Sequence, residues 1–189
     1  MGKPFGIIVF GANGSGKTTI GRELAHILCF KHMDIEDYCF ETSIIPYTLL
    51  RPHEDVVRLM LADIVKHRSF VMSVVTGDYG ADISSLYKLA VCITAPLELR
   101  IERIRKRAFE IHGERVLEGG DMYKQEQDFL DFVASRSLLE IDIWAKTLTC
   151  PIIHVDGTED WRINAASIAE QFKEIWSRDP TNTGRGDVV

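Results

Sequence analysis

"FGIIVFGANGSGKTTIGREL", residues 5–24, decides the fold. Its opening "FGIIVF" (5–10) is apolar throughout, so it reads as a central strand buried on both faces. Residues 17–28 read as a helix. Between them Gly11, Ala12, Asn13, Gly14, Ser15, Gly16, Lys17 and Thr18 satisfy G-x-x-x-x-G-K-[ST] in full, in the strand-to-helix setting the motif requires. Glycines let such a loop wrap so that successive backbone N–H groups point at phosphate oxygens. The helix that follows adds the positive end of its dipole. These residues, with Thr19, are expected to hold a nucleotide's phosphates, Lys17 on the β- and γ-phosphates and the Thr18 hydroxyl on Mg²⁺.

Outward from the loop, apolar runs alternate with helical patterns. "KHMDI" (31–35), "FVMSVV" (70–75), "LAVCIT" (89–94) and "PIIHV" (151–155) read as strands. Helices are expected over 53–68, 96–109, roughly 124–145 and about 162–177; the first has Val56, Val57, Met60, Leu61, Ile64 and Val65 at helical spacing. Such alternation means βαβ units, hence an α/β fold with a parallel sheet covered by helices on both faces. Residues 1–177 read as a single domain, the polar, glycine-bearing 109–123 as a short lid, and 178–189 as a disordered tail.

Composition narrows the classes further. The 189 residues suit one domain, and 22 basic against 28 acidic residues argue against a general nucleic-acid or membrane-surface binder. The apolar runs are too short for a membrane span, and the N-terminus has no signal-peptide layout. Cys29, Cys39, Cys92 and Cys150 form no C-x-x-C pair, which points to a reducing compartment and a cytoplasmic protein.

The guanine-reading N-K-x-D of GTPases is absent, and "FVMSVV" runs into Thr-Gly-Asp rather than the adjacent acids of larger ATPases. "GANGSGKTTIGRELA", "HMDIEDY", "FVMSVVTGDYG", "ITAPLELRIERIRKR" and "HVDGT" follow one another in the order found in P-loop small-molecule kinases. The chain resembles that group, which contains shikimate, gluconate and adenylate kinases, over residues 5–177. The resemblance implies a P-loop kinase fold with a five-stranded parallel sheet, ATP on the phosphate loop, and a mobile lid. It also implies a monomeric, Mg²⁺-dependent phosphotransferase acting on a hydroxyl of a small polar metabolite.

Candidate site residues follow from the same stretches. Asp34 and Glu36 match an acidic-x-acidic pair of the shikimate-kinase branch; at i and i+2 on an extended strand they would point to one side. Asp34 would order Mg²⁺ and Glu36 would orient or deprotonate the acceptor hydroxyl, unless the pair is a solvated strand end; Asp37 reads as a cap. Arg100, Arg103 and Arg107 share one helix face, while Leu97, Ile101, Ile104 and Ala108 make the core-facing stripe. By resemblance, Arg103 and Arg107 serve the γ-phosphate, with Arg115 a further lid candidate. Arg51 is either a partner for a substrate carboxylate or phosphate, or a surface arginine. Asp156, Gly157 and Thr158 match the adenine-side turn by position, or simply lead into the last helix. After strand 3 the chain departs from its relatives. Thr76-Gly77-Asp78-Tyr79-Gly80 replaces the D-G-x-P-R of adenylate kinases and the glycine triplet of shikimate kinases. Asp78 there suits a substrate bearing hydroxyls or an amine. Two other readings stay open: a nucleoside monophosphate kinase of adenylate or cytidylate type, and a non-catalytic ATP-binding regulator or resistance protein.

Overall fold

Every residue of β1, Phe5–Gly11, is buried, and its alternation feeds two separate cores. Phe5, Ile7 and Val9 pack with Leu24 and Leu28 of α1 (Lys17–Leu28) and with Ile168 and Phe172 of α8 (Trp161–Arg178). Ile8 and Phe10 pack on the other side with Val56, Met60 and Ile64 of α3 (His53–His67). A strand without a polar face needs a helical layer on each side, and the sequence supplies both. The structure, a computed structural model, describes residues 3–43 and 47–178; except for Arg178, which closes α8, the expected tail lies outside the described residues.

β1 lies between β3 (Ser69–Val74) and β4 (Tyr87–Thr94), with β2 (Lys31–Asp34) and β5 (Ile152–Asp156) at the two edges. All four pairings are parallel. The chain fills the β2–β3 side first and then crosses to β4 and β5. The loop after β1 therefore opens at the switch point, beyond the carboxyl ends of the strands, where parallel sheets bind ligands.

The strands and long helices fall within a few residues of the sequence reading, and three differences bear on the site. The strand expected over 31–35 ends at Asp34, whose Oδ1 accepts from the Glu36 amide at 3.2 Å and caps α2, Ile35–Cys39. Beyond the short α4, Ala81–Ser84, helix α5, Leu97–His112, outruns its expected end and stops where Gly113 takes φ +60°. The first residues expected in the lid are thus helical, and a 3-10 turn, Gly113–Val116, follows them. The helix expected over 124–145 is two, α6 (Tyr123–Ser135) and α7 (Leu139–Ala145). Arg136 is extended at the break, and Ser137 Oγ accepts from the Leu139 amide at 3.2 Å. A serine that can cap a new helix competes with continuing the old one.

Candidate active site

The phosphate loop is held in shape by glycines and by α5. Gly14 and Gly16 take φ +78° and +105°. A Cβ on Gly14 would lie 2.5 Å from the Arg100 carbonyl oxygen, so the loop touches the α5 backbone through the missing side chain. Arg100 Nη1 donates to the Asn13 carbonyl at 3.3 Å. Arg103 donates at 3.3 Å to the Ser15 carbonyl and at 2.8 Å to the Gly157 carbonyl. Gly16 starts α1 with no side-chain cap and no acid in the first turn, leaving the first helical amides to an anion.

The loop fits phosphate on its own polar atoms. Ser15 Oγ is buried with no partner among the described residues. Lys17 is buried, and its Nζ donates to the Ala12 carbonyl at 3.3 Å. Burial pulls the Lys17 pKa down to about 8, against the opposing pull of Glu36 and Asp34; Arg107 and Arg136 lower it further. Glu36 is shifted the other way, raised by burial first and by the Asp34 charge second. Thr18 Oγ1 and Asp34 are oxygen donors of the kind Mg²⁺ takes. No cluster of three or more His, Cys, Asp or Glu among the described residues forms a metal cage, nor is one needed. Mg²⁺ at phosphates uses one or two protein oxygens, the phosphates and water.

Two cavities flank the loop. The first, about 330 Å³, is lined by Gly14, Lys17, Thr18, Thr19, Arg107 and Trp161 among others, and suits the nucleotide donor. The second, about 350 Å³, lies between α2, α5 and α6. Asn13, Glu36, Phe40, Tyr47, Glu126 and Phe129 are in its wall. Arg107 and Ile104 line both.

The predicted residues divide accordingly. Lys17, Asp34 and Glu36 do come together with Arg107, and each of the other three acts on the charge of Lys17. The geometry expected for Asp34 and Glu36 is corrected: a helix cap, not an extended strand, joins them. That cap is Asp34; Asp37 lies in the first turn of α2. Arg100 is buried against the loop. Arg103 bridges two carbonyls and also lines the first cavity beside Arg107. Arg107 makes no hydrogen bond or ion pair with the described residues and faces both cavities.

Other assignments move away from the site. Arg51 Nη1 donates to the carbonyls of Asp37, Tyr38 and Phe40, at 3.2, 2.9 and 2.6 Å, so it braces α2 and lines neither cavity. Asp78 Oδ1 accepts from the Gly80 amide at 2.9 Å, a turn-forming contact, and Asp78 too is outside both linings. Arg115 is held by Asp121 in a bidentate pair at 2.9 and 2.8 Å that closes an exposed loop. Of Asp156, Gly157 and Thr158 only Gly157 reaches the donor cavity. Asp156 accepts from the Thr158 amide at 2.8 Å and faces a shallow depression elsewhere.

Several residues escaped the sequence reading: Trp161 and Glu159 on the donor side, and Phe40, Tyr47, His112, Met122, Glu126 and Phe129 on the other. Arg136, at the α6–α7 break, also acts on Lys17. A signal was present in Gln125, Glu126 and Phe129, whose spacing marks one face of α6, and in Met122, the residue that precedes its first turn.

Behind the loop, Ser73 Oγ donates to the Lys17 carbonyl at 3.2 Å and lies 3.0 Å from His32 Nε2. The hydroxyl has one proton and spends it on the carbonyl, so His32 must donate Nε2–H to Ser73. Burial pushes the His32 pKa below its usual 6.5. Below that pH the unfolded chain binds a proton the folded one refuses, so this group lowers stability as pH falls. Nitrogen-resolved imidazole NMR should find His32 titrating below 6.5, with its neutral ring protonated at Nε2. A neutral ring in the Nδ1–H tautomer would contradict the network.

No family model matches the chain. It is 29% identical over 168 residues to the uncharacterized protein YqaC of Bacillus subtilis (strain 168), which spans 84% of this chain and 90% of that protein. Among solved structures, a shikimate kinase from Bacteroides thetaiotaomicron superposes with a TM-score of 0.51 at 16% identity, covering 92% of this chain and 98% of that one. A shikimate kinase from Acinetobacter baumannii in complex with shikimate gives 0.51 at 18% identity, over 94% and 96% of the two chains. A gluconokinase from Sinorhizobium meliloti 1021 gives 0.50 at 13%, over 93% and 98%. The chain has a P-loop kinase-like fold, five parallel strands with helices on both faces.

Proposed function

We propose that the chain is an ATP-dependent, Mg²⁺-dependent kinase that phosphorylates a hydroxyl of a small polar metabolite. The observation that carries this reading is the meeting of two cavities at Arg107, one beside the phosphate loop and one walled by Glu36. A protein that only binds nucleotide does not require a second cavity that shares Arg107 with the first.

Lys17 and the loop amides hold the β- and γ-phosphates of ATP, with Thr18 and Asp34 as the protein oxygens that would hold Mg²⁺. The metal, when bound, would neutralise charge that develops on the phosphates. Arg107 faces the transferring phosphoryl group, whose developing charge it stabilises. The acceptor oxygen bonds to the γ-phosphorus as the bond to the β–γ bridging oxygen breaks, and ADP leaves. Glu36, made a better base by burial beside Asp34, takes the hydroxyl proton. Arg103 and Arg100 act by positioning the loop, and Arg115 by shaping the lid that excludes water. The reading includes a monomer acting in the cytoplasm; no helix among the described residues is long and apolar enough to cross a membrane.

A thermal-shift panel of hydroxylated metabolites, run with a non-hydrolysable ATP analogue, tests the proposal, because a ligand of the folded form raises its stability. Hits should accelerate ADP release from ATP. If ATP binds and no acceptor accelerates its consumption, the regulator reading replaces this one. Efficient phosphorylation of AMP or CMP would make it a nucleoside monophosphate kinase, which the commitment of Arg51 to backbone carbonyls disfavours.

A further inference from the structure

The acceptor cavity contains an acid that the mechanism above does not use. Glu126, in the first turn of α6, has Oε1 shielded from water and without a partner among the described residues. Leaving a buried acceptor unmatched costs about 1–3 kcal/mol, and more for a charged one, so a ligand that supplied the missing donor would recover a large penalty. An acid near a helix N-terminus is favoured by the dipole alone. That effect works equally well on an exposed carboxylate and gives no reason to turn an oxygen away from solvent. Arg107 and Arg105 act on Glu126 at a distance, but neither hydrogen-bonds to it.

Phe40, Tyr47 and Phe129 add three aromatic rings to a cavity wall that Arg107 and aliphatic side chains complete. The rings of Phe40 and Tyr47 meet edge to face, with centroids 5.4 Å apart, and Phe129 follows Glu126 on the same face of α6. Ring faces attract a cation, and together with a carboxylate they make the usual cage for an alkylammonium group. Glu36 and Asn13 stand at the phosphate-loop end of the same cavity. Its volume, about 350 Å³, lies at the small end of the range for ligand pockets.

We propose that the acceptor is a small organic cation bearing a hydroxyl group, an amino alcohol or aminated sugar. Its ammonium pairs with Glu126 among the faces of Phe40, Tyr47 and Phe129, while its hydroxyl reaches Glu36. The assignment rests on the kinase reading for the identity of this cavity. It gives Glu126 the amine-recognising task that the sequence had suggested for Asp78.

Matched probes test it: choline against its uncharged tert-butyl isostere, serinol against glycerol, and glucosamine against glucose and N-acetylglucosamine. Binding is measured by thermal shift with Mg²⁺ and a non-hydrolysable ATP analogue, and turnover by ADP release from ATP. The charged member of at least one pair should bind about tenfold tighter or more, as expected for a desolvated cation in such a cage. In Glu126→Gln that preference should shrink to about twofold or less, with the loss in KM rather than kcat. Binding of the ATP analogue shows that the variant is folded. Equal binding of charged and neutral members, including no binding of either, overturns the proposal. So does a preference that survives Glu126→Gln. A Glu126-dependent preference without ADP release would instead sink the kinase reading and leave the cationic pocket standing. ADP release driven equally by neutral alcohols would do the reverse.

Discussion

Replacing Lys17 by Met is expected to stabilise the nucleotide-free protein while removing nucleotide binding. Burial holds the Lys17 pKa at about 8 instead of 10.5, so keeping this side chain charged at neutral pH costs the fold about 3 kcal/mol at most. Methionine keeps the apolar stem and discards the desolvated charge. Part of the gain is returned, because Glu36 and Asp34 lose the cation that faces them. A net gain of about 1–3 kcal/mol in denaturant unfolding at pH 7 is expected. The pH dependence carries the sign. Between pH 8 and 10.5 the unfolded wild-type chain still holds the proton that the folded chain has lost. This group therefore makes the wild type more stable as pH rises through that window, and the methionine variant should lack that slope. Phosphate binding restores the charge, so wild-type affinity for ATP should weaken by up to about tenfold per pH unit above pH 8. Turnover in Lys17→Met should fall on the order of 10³-fold. A destabilised variant that still binds ATP would show that the buried lysine serves folding instead.

That trade explains what the sequence could and could not disclose. The phosphate loop was legible because each constraint on it is local: Gly14 and Gly16 need positive φ, Lys17 opens a helix, and "FGIIVF" has no polar face to expose. The sheet was legible for the same reason, since strands and helices differ in period over a few residues. The roles of the arginines were not. Arg100, Arg103 and Arg107 are equivalent on a helical wheel, and they separate only because the Asn13, Ser15 and Gly157 carbonyls meet the first two. Arg51 likewise looked available until the carbonyls of α2 were seen to occupy it. Asp34 and Glu36 were expected on one side of an extended strand, and a five-residue helix capped by Asp34 joins them instead. The second cavity was the least legible part, because its walls come from α2, α5 and α6, far apart in the chain. Long-range convergence leaves only weak traces in local pattern, here the face of α6 that carries Glu126 and Phe129.

Gly14→Ala is expected to damage the site without touching a catalytic side chain. The substitution has two costs. At φ +78° an alanine pays roughly 1–2 kcal/mol for left-handed backbone. Its Cβ would also lie 2.5 Å from the Arg100 carbonyl oxygen and 2.9 Å from the Arg100 Cα, both backbone atoms of α5. Neither can swing aside as a side chain can, so loop and helix must separate, at a further cost of about 1–3 kcal/mol. Gly119 isolates the first cost, because it has φ +89° and a Cβ added there would meet nothing within 4 Å. Gly119→Ala should therefore lose only about 1–2 kcal/mol, and Gly14→Ala about 2–5 kcal/mol. For a chain of this size the larger loss corresponds to a drop of roughly 5–15 °C in Tm. Separation also pulls Arg100 from the Asn13 carbonyl and Arg103 from the Ser15 carbonyl, contacts that are already long at 3.3 Å. Arg107 rides on the same helix, so turnover should fall about 10²-fold, as a misplacement of about 1 Å would cause. Equal losses of stability in the two variants, within about 0.5 kcal/mol, would show that α5 yields freely to the loop. In that case the arginine brace, and the fixed placement of Arg107 between donor and acceptor, would have to be given up.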